Sequence, residues 1–265
     1  MSSSPDRSAI ISRLRAAGCV FAEDEAQLLI SAAQSASDLE VTVERRCSGE
    51  PLEYVIGYAE FCGLRIAVEP GVFVPRRRSE FLVAQVARLT TTGAVVVDMC
   101  CGSGAVGAAL VAVREGIELH AADVDPVAVQ CARRNVIPIG GQVYEGDLYE
   151  ALPIALRGRV DVIVANAPYV PSDEIDLLPA EARIYEARIA LDGGADGLDI
   201  QRRVSEGAPQ WLAAAGQLLI ETSERQAPQT VAMIARAGLT PMVVSSDDLD
   251  ATVVIGHNDT VERTR

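Results

Sequence analysis

The segment Asn166-Ala167-Pro168-Tyr169 has residue types and spacing that suit one kind of chemistry. The Asn166 side-chain oxygen can accept one N–H of a planar amide or amine, and the Ala167 carbonyl can accept the other. Pro168 keeps the turn extended, and Tyr169 can stack on the planar group. Two fixed acceptors would aim the nitrogen lone pair at an electrophile and favour the positive charge that develops. The segment therefore predicts methylation of a planar nitrogen, although a proline-containing turn leaving a strand has the same pattern.

A glycine-rich segment occurs earlier in the chain, directly after an apolar run at residues 94–98. It reads Asp98-Met-Cys-Cys-Gly102-Ser-Gly104-Ala-Val-Gly107 and precedes a helical pattern. Glycines let the backbone approach a ligand closely, and a helix N-terminus directs free N–H groups at it. The spacing matches the dinucleotide fingerprint. By itself this signal is weak, because a tight strand-to-helix turn without a ligand has the same spacing.

Acidic residues follow the next two predicted strands. Asp123 lies about twenty residues beyond the glycines, where a carboxylate can accept from both ribose hydroxyls of a nucleotide. Asp125 could do so instead, although Asp125-Pro126 is typical of a helix N-cap. Asp147 could accept from the exocyclic amine of adenine or cap the following helix. The set predicts an adenosine-type ligand and does not separate NAD from S-adenosylmethionine.

These motifs lie within alternating strands and helices from about residue 79 onward. Such alternation predicts a mostly parallel sheet with helices on both faces and ligands at the carboxyl ends of the strands. The predicted strands are 94–98, 117–122, 142–145, 159–165 and 216–221, with a closing antiparallel pair at 242–245 and 251–256. The predicted helices are 104–114, 126–135, 148–156, 198–214 and 224–237.

The first 77 residues have a different pattern. Apolar residues recur at helical spacing through residues 6–48, for example at Ile10, Ile11 and Leu14. Glycine and proline then separate two short strand-like runs, 58–62 and 64–68. This spacing predicts a helical region followed by a hairpin and an extended linker.

Composition excludes several classes of protein. All 23 basic residues are Arg, and the chain contains no Lys. A phosphate-loop lysine and a pyridoxal Schiff base are therefore excluded, because each needs a primary amine. His120 and His257 are the only histidines, so a His-rich metal site is not expected.

The charge balance bears on partners. The formal net charge is −14 at pH 7, which argues against nonspecific binding to nucleic acids or anionic membranes. None of the six cysteines forms a C-x-x-C pair, and no apolar run approaches 18 residues. We therefore expect a cytoplasmic protein with reduced thiols, no metal and no membrane segment.

Taken together, several motifs resemble the protein-(glutamine-N5) methyltransferase family, which modifies peptide chain release factors. The resemblance extends from about Arg45 to the C-terminus. The strings that carry it are Arg45-Arg46-x-x-Gly49-Glu50-Pro51-Leu52-x-Tyr54, Gly57-x-x-x-Phe61-x-Gly63-Leu64, Pro70-Gly71-Val72-Phe73-Val74-Pro75-Arg76, Asn166-Ala167-Pro168-Tyr169 and Ala190-Leu191-Asp192-Gly193-Gly194-x-Asp196-Gly197-Leu198.

The resemblance implies an α/β fold with three parts. Residues 1–50 would form a helical substrate-recognition domain, and residues 51–77 a β-hairpin linker. Residues 78–265 would form a seven-stranded, Rossmann-like class I methyltransferase domain. It also implies S-adenosylmethionine as the methyl donor and, as partner, a protein that carries the target glutamine, such as a release factor, with the enzyme acting as a monomer.

The resemblance further implies roles for particular residues. The catalytic loop would be Asn166, Ala167, Pro168 and Tyr169. The donor would contact Asp98, Cys100, Gly102, Gly104, Asp123, Asp147 and Asn166. The glutamine substrate would contact Phe73, Pro75, Asn166, Pro168 and Tyr169.

The chain departs from the family pattern at a few positions. Ala167 stands where the family has proline, and Cys100 where it has the first glycine of the loop. After Pro75-Arg76 the family has Pro-x-Thr-Glu, whereas this chain has Arg77-Arg78-Ser79-Glu80. Tyr185-Glu186-Ala187 replaces the family's Glu-Pro. Cys100 and Ala167 leave open a donor-binding module without turnover. An exocyclic-amine methyltransferase of nucleic acids also stays open, because such enzymes use a loop similar to Asn166–Tyr169.

Overall fold

A computed structural model describes residues 6–259, and its first helices form a small bundle. The bundle contains α1 (Arg7–Ala16), α2 (Ala22–Ala32), α3 (Ala36–Cys47) and the short α4 (Leu52–Ile56). Its apolar faces meet in a separate core around Leu14, Leu29, Val43 and Val55. The helical region was predicted, but its end was not: residues 52–56, which we placed in the linker, form α4 and pack into this core.

The hairpin follows directly, with β1 (Tyr58–Phe61) paired antiparallel to β2 (Leu64–Ala67). Phe61 and Ile66 are buried against the larger core of the molecule. Asn135 binds the hairpin at Ala67, the last residue of β2. Its side chain accepts from the Ala67 N–H and donates to the Ala67 carbonyl, both at 2.9 Å. The hairpin is therefore fixed to the sheet domain by packing and by a two-point hydrogen bond.

The large domain is built on a seven-stranded sheet. Its strands are β3 (Val95–Met99), β4 (Glu118–Asp123), β5 (Gln142–Glu145), β6 (Val160–Ala165), β7 (Leu212–Thr222), β8 (Thr240–Ser246) and β9 (Ala251–His257). Their order is β5-β4-β3-β6-β7-β9-β8, and β9 runs in the direction opposite to the other six strands. The predicted parallel sheet with a closing antiparallel pair is confirmed.

Helices cover both faces of this sheet, as predicted. They are α5 (Ser79–Leu89), α6 (Ala105–Val113), α7 (Pro126–Val136), α9 (Asp199–Trp211) and α10 (Ala227–Arg236). The short α8 (Ala180–Tyr185) instead lies at the cavity, which its Glu181 and Ala182 line. Alternate residues of β3 point to opposite layers: Val97 and Met99 pack with Trp211, whereas Val96 packs with Leu82. A strand that is apolar on both faces is expected for a sheet covered on both sides.

Several elements differ from the sequence prediction, and α5 was not among the predicted helices. The helix predicted at 148–156 is two short 3-10 turns, because Pro153 cannot donate a helical hydrogen bond and disfavours helix before it. The helix predicted at 198–214 ends at Trp211, where β7 begins. Helix α8 was not predicted, because it is only six residues long and buries none of them. Within residues 6–259, no helix is long and apolar enough to cross a membrane.

Candidate active site

A cavity of about 820 Å³ opens at the carboxyl ends of the central strands. The chain proceeds from β3 to β4 and β5 on one side and then continues with β6 on the other side of β3. Ligands bind at such switch points in strand order. Of the residues predicted for the site, those that line this cavity are Phe73, Pro75, Asp98, Cys100, Gly102, Asp123, Asp147, Asn166, Ala167, Pro168 and Tyr169.

The loop between β3 and α6 is fixed by two carboxylates. Asp98 is buried, and its Oδ2 accepts from the Gly107 N–H at 2.9 Å. Burial raises the pKa of Asp98 to about 7, although the hydrogen bond from Gly107 opposes this increase. Asp123 Oδ2 accepts from the Gly102 N–H at 2.8 Å. The carboxylates thus hold the loop in a shape that exposes its backbone to the cavity.

Gly104 is the one predicted site residue that does not line the cavity. It lies at the start of α6 with a φ of +76°, and a Cβ there would come within 2.7 Å of Val136 Cγ2. Glycine is therefore needed for close packing of α6 against α7 and for the left-handed backbone. This position explains the glycine without any contact to a ligand.

Cys100 adopts a backbone conformation that favours glycine, with a φ of +57°. Because a Cβ is strained there, we expect Cys100→Gly to raise the free energy of unfolding by about 0.5–1 kcal/mol, after allowance for the entropy of glycine. Urea unfolding measures this gain. Cys62→Gly should give a gain of the same sign, since Cys62 has a φ of +49° but does not line the cavity. A loss of stability in Cys100→Gly would show that the Cβ is not a source of strain.

Asp123 and Asp125 have different roles. The Asp125 side chain accepts from the Val127 N–H at 2.9 Å and caps α7. Asp123 lies at the end of β4, and its Oδ1 accepts from the Asp125 N–H at 2.9 Å. Burial raises the pKa of Asp123, while hydrogen bonds from Asp125 and Gly102 lower it. Each Asp123 oxygen retains a lone pair for a further donor.

We expect Asp123→Ala to weaken donor binding by about 1.5–3 kcal/mol, the range for hydrogen bonds to a charged group. Calorimetry with S-adenosylmethionine measures the change. Asp125→Ser keeps a helix cap and serves as the control, with nearly unchanged affinity expected. The opposite result, with Asp125→Ser weaker and Asp123→Ala unchanged, would assign the ribose to Asp125.

Asp147 lies at the end of β5 and lines the cavity. Its side chain makes no helix-capping hydrogen bond; instead Oδ2 accepts from the Arg203 guanidinium of α9 at 2.7 Å. The capping alternative for Asp147 is therefore wrong. Arg203 fixes one carboxylate oxygen and leaves Oδ1 to accept from a ligand.

The segment after β6 forms the opposite wall of the cavity. Asn166 Nδ2 donates to the Ser79 hydroxyl at 3.1 Å, and Ala167 is buried. The Arg78 guanidinium donates to the Tyr169 hydroxyl, with its central carbon 5.6 Å from the ring centroid. Because Ser79 engages the nitrogen end of the Asn166 amide, the oxygen end is left as an acceptor.

Glu186 is a functional-site residue that sequence reasoning missed. Its buried carboxylate accepts from the Val74 N–H at 3.1 Å and from Arg76 at 2.6 and 2.7 Å. These bonds fix the segment that carries Phe73 and Pro75 along the cavity wall. The sequence contained two signals for this residue, namely Arg76 and the departure from the family pattern at Glu186. It did not indicate that these two residues, 110 positions apart, form a pair.

The motif at residues 190–198 packs against the chain that follows the Asn166–Tyr169 segment. Val170 exchanges backbone hydrogen bonds with this motif, accepting from Gly193 at 2.9 Å and donating to Leu191 at 3.1 Å. A Cβ at Gly197 would lie 2.3 Å from the Tyr169 carbonyl oxygen. The glycines of the motif are therefore required for close approach of the two segments.

A seven-stranded sheet of this order, with a glycine loop after β3 and an acidic residue at the end of β4, defines the class I methyltransferases that use S-adenosylmethionine. The Methyltransferase small domain family model matches residues 63–196. A methyltransferase from Pyrococcus furiosus superposes with a TM-score of 0.57 at 16% identity, covering 75% of this chain and 90% of that one.

Two curated relatives give the family. The release factor glutamine methyltransferase of Geobacter sulfurreducens is 37% identical over 216 residues, covering 81% of this chain and 75% of the relative. That of Streptomyces coelicolor is 35% identical over 191 residues, covering 71% and 68%. The chain belongs to the release factor glutamine methyltransferase family. It is an S-adenosylmethionine-dependent enzyme.

Proposed function

We propose that this protein transfers the methyl group of S-adenosylmethionine to the side-chain amide nitrogen, N5, of a glutamine in a peptide chain release factor. The observation that carries this proposal is the orientation of Asn166 in the cavity wall. Its nitrogen is engaged by Ser79, so its oxygen is the end available to an acceptor N–H. The donor-side carboxylates Asp123 and Asp147 line the same cavity.

The donor-side residues fit S-adenosylmethionine by their chemistry. Asp123 retains lone pairs for the ribose hydroxyls, and Asp147 Oδ1 can accept from the adenine amine. Asp98 and the exposed backbone of Gly102 line the part of the cavity nearest the start of α6. Six carboxylates and three arginines line the cavity, and this excess of acidic groups suits a ligand that carries positive charge on its sulfonium and ammonium groups.

At the acceptor side, the chain's own residues orient the amide. When bound, S-adenosylmethionine supplies an electrophilic methyl group next to sulfur. The Asn166 side-chain oxygen and the Ala167 carbonyl each accept one N–H of the glutamine amide, and the Tyr169 ring stacks on its plane. These acceptors favour the positive charge that develops on nitrogen and hold the amide in one orientation. Pro168 limits motion of the loop that presents them.

The N-terminal helices, residues 1–50, act as the substrate-recognition domain in this proposal, with the hairpin joining them to the catalytic domain. The support is a partly buried contact between the two parts, made by Arg46. Arg46 of α3 binds Glu25 of α2 at 2.6 Å and Glu181 of α8 at 2.7 Å. Because Glu181 lines the cavity, a protein held by the helices would lie beside the catalytic loop.

The partner in this proposal is a protein and not a nucleic acid, in keeping with the net charge of −14. We also propose that the enzyme acts as a monomer in the cytoplasm, where translation factors are found. Light scattering on the purified protein tests the oligomeric state, and a mass of two chains would contradict it.

The function is tested by incubating the purified protein and methyl-labelled S-adenosylmethionine with purified release factors and, separately, with a cell lysate. We expect one methyl group on a glutamine side chain, located by mass spectrometry. Label that is removed by nuclease would favour the nucleic-acid alternative. Tight donor binding without transfer to any protein would favour a donor-binding module.

A further inference from the structure

A buried carboxylate that the catalytic site does not account for lies next to Asn166. Ala165 of β6 pairs with Ile220 of β7, so Asn166 and Glu221 are the next residues on two neighbouring strands. Only 3% of the Glu221 side chain is exposed. Neither of its oxygens makes a hydrogen bond of normal geometry, and Arg78 Nε lies 3.5 Å from Oε1. Such a carboxylate is costly to bury, which calls for a physical reason.

Ser79 links this carboxylate to the catalytic loop. The buried Ser79 hydroxyl accepts from Asn166 Nδ2 at 3.1 Å. Burial raises the pKa of the Glu221 carboxyl, and the Ser79 hydroxyl and Arg78 lower it. A serine hydroxyl has one proton to donate, and an ionised carboxylate can only accept. When Glu221 is ionised, its carboxylate is therefore the acceptor available to the Ser79 proton.

We propose that Glu221 is a positioning residue that fixes which end of the Asn166 amide faces the substrate, acting through Ser79. With its proton directed to Glu221, Ser79 can only accept from Asn166, so the Asn166 nitrogen turns toward Ser79. The oxygen then faces the cavity. If Ser79 donated to Asn166 instead, the amide would flip and present N–H groups to the N–H groups of the substrate. This inference rests on the proposed function.

Arg78 connects the same carboxylate to Tyr169. Its guanidinium pairs with Glu221 and donates to the Tyr169 hydroxyl, while its plane lies near the Tyr169 ring. Among the described residues, Arg78 provides the ion pair shown for Glu221. Arg78 thus favours the ionised form of Glu221 and also restrains the aromatic ring that would stack on the substrate amide.

The orientation of Asn166 can be observed directly, because the chain contains only three asparagines, Asn135, Asn166 and Asn258. Protein labelled with ¹⁵N at asparagine gives three side-chain NH₂ signals, and Asn166→Ala identifies the one of interest. We expect this signal to move in Glu221→Gln and in Ser79→Ala, and to stay close to its wild-type position in Ser79→Thr. An unmoved signal in Glu221→Gln would overturn the proposal, because Glu221 does not itself bond to Asn166.

Single-turnover methyl transfer provides the second measurement. Ser79→Ala and Glu221→Gln should each slow transfer by about 10- to 100-fold, less than the roughly 100- to 1000-fold for loss of a preorganised group at the reacting centre, because they act through Asn166. Donor affinity should stay within about threefold. Ser79→Thr should restore the rate. If Glu221 acts through Ser79, the double variant should be no slower than Ser79→Ala. If the fold-loss in rate of the double variant equalled the product of the two single losses, Glu221 and Ser79 would act independently, which would contradict the proposal.

Controls separate this proposal from simple destabilisation. Ser205→Ala also removes a buried hydroxyl, but this one has no hydrogen-bond partner and lies outside the cavity. It should not change the transfer rate. If Glu221→Gln does not fold, the Ser79→Ala and Ser79→Thr pair decides by rate and by the Asn166 signal. A wild-type protein that methylates no glutamine refutes the proposed function, whereas an active wild type with unimpaired Ser79→Ala refutes only the positioning role.

Discussion

Asn166→Ala should slow single-turnover methyl transfer by about a hundredfold or more while leaving the donor bound. The reason is that the Asn166 oxygen is the preorganised acceptor for a substrate N–H, and removal of one such group at a reacting centre has an effect of this size. Donor affinity should change by less than about tenfold, or 1.4 kcal/mol, because the donor-side carboxylates are untouched.

The fold should tolerate this change, because Asn166 lies in the loop that follows β6 and contributes one side-chain hydrogen bond, to Ser79. Transfer is measured with saturating donor in excess enzyme, alongside calorimetric donor binding. Asn258→Ala is the matched control, since it removes an asparagine whose side chain donates to the Ala213 carbonyl, away from the cavity. Transfer by Asn166→Ala at the wild-type rate would refute the proposed mechanism and favour a different acceptor.

The elements of the large domain were predictable because their patterns are strong. Strands β3 and β6 are short apolar runs, and α7 begins with Asp125 as cap and Pro126 in its first turn. Helix α8 and the turns at 148–156 carried no such pattern, being short or interrupted by proline. The end of the bundle was missed because α4 is recruited by packing against α2 and α3, a contact that its own five residues do not show.

The site was predictable where one segment carries the chemistry, as at Asn166–Tyr169 and the glycine loop. It was not predictable where two distant segments form one feature. The pairs Asp147 with Arg203 and Arg76 with Glu186 exist because β5, α9 and the rim segments meet at one edge of the sheet. Gly104 shows the converse, since a motif position that suggested a ligand is explained by contact with Val136.

Arg76→Met should destabilise the protein strongly at pH 8, by about 3 kcal/mol, the cost of leaving a buried charge without its partner. The side chain of Glu186 is 1% exposed, whereas that of Arg76 is 34% exposed. Burial raises the pKa of Glu186, and Arg76 and the Val74 N–H act in the opposite direction. Without Arg76, the pKa of Glu186 should rise further.

The sign of the pH dependence follows from this increase. In the unfolded chain, Glu186 titrates near its ordinary pKa of about 4.3. Between that pH and the raised pKa of the folded variant, the native state binds more protons than the unfolded state. The free energy of unfolding of Arg76→Met should therefore fall as pH rises through this window. Well below about pH 4.3, Glu186 is protonated in both states, and most of the penalty should be absent.

Urea unfolding of the wild type and Arg76→Met at pH 5 and at pH 8 measures the effect, which should be clearly larger at pH 8. Arg77→Met makes the same charge change at an exposed neighbour and should cost little at either pH. Adding Glu186→Gln to Arg76→Met should remove the pH dependence, because the buried group no longer ionises. The guanidinium carbon of Arg76 also lies 4.7 Å from the Phe73 ring centroid. If the penalty were equal at both pH values and persisted in the double variant, the role of Arg76 would be packing against Phe73. Compensation of the Glu186 charge would then be refuted.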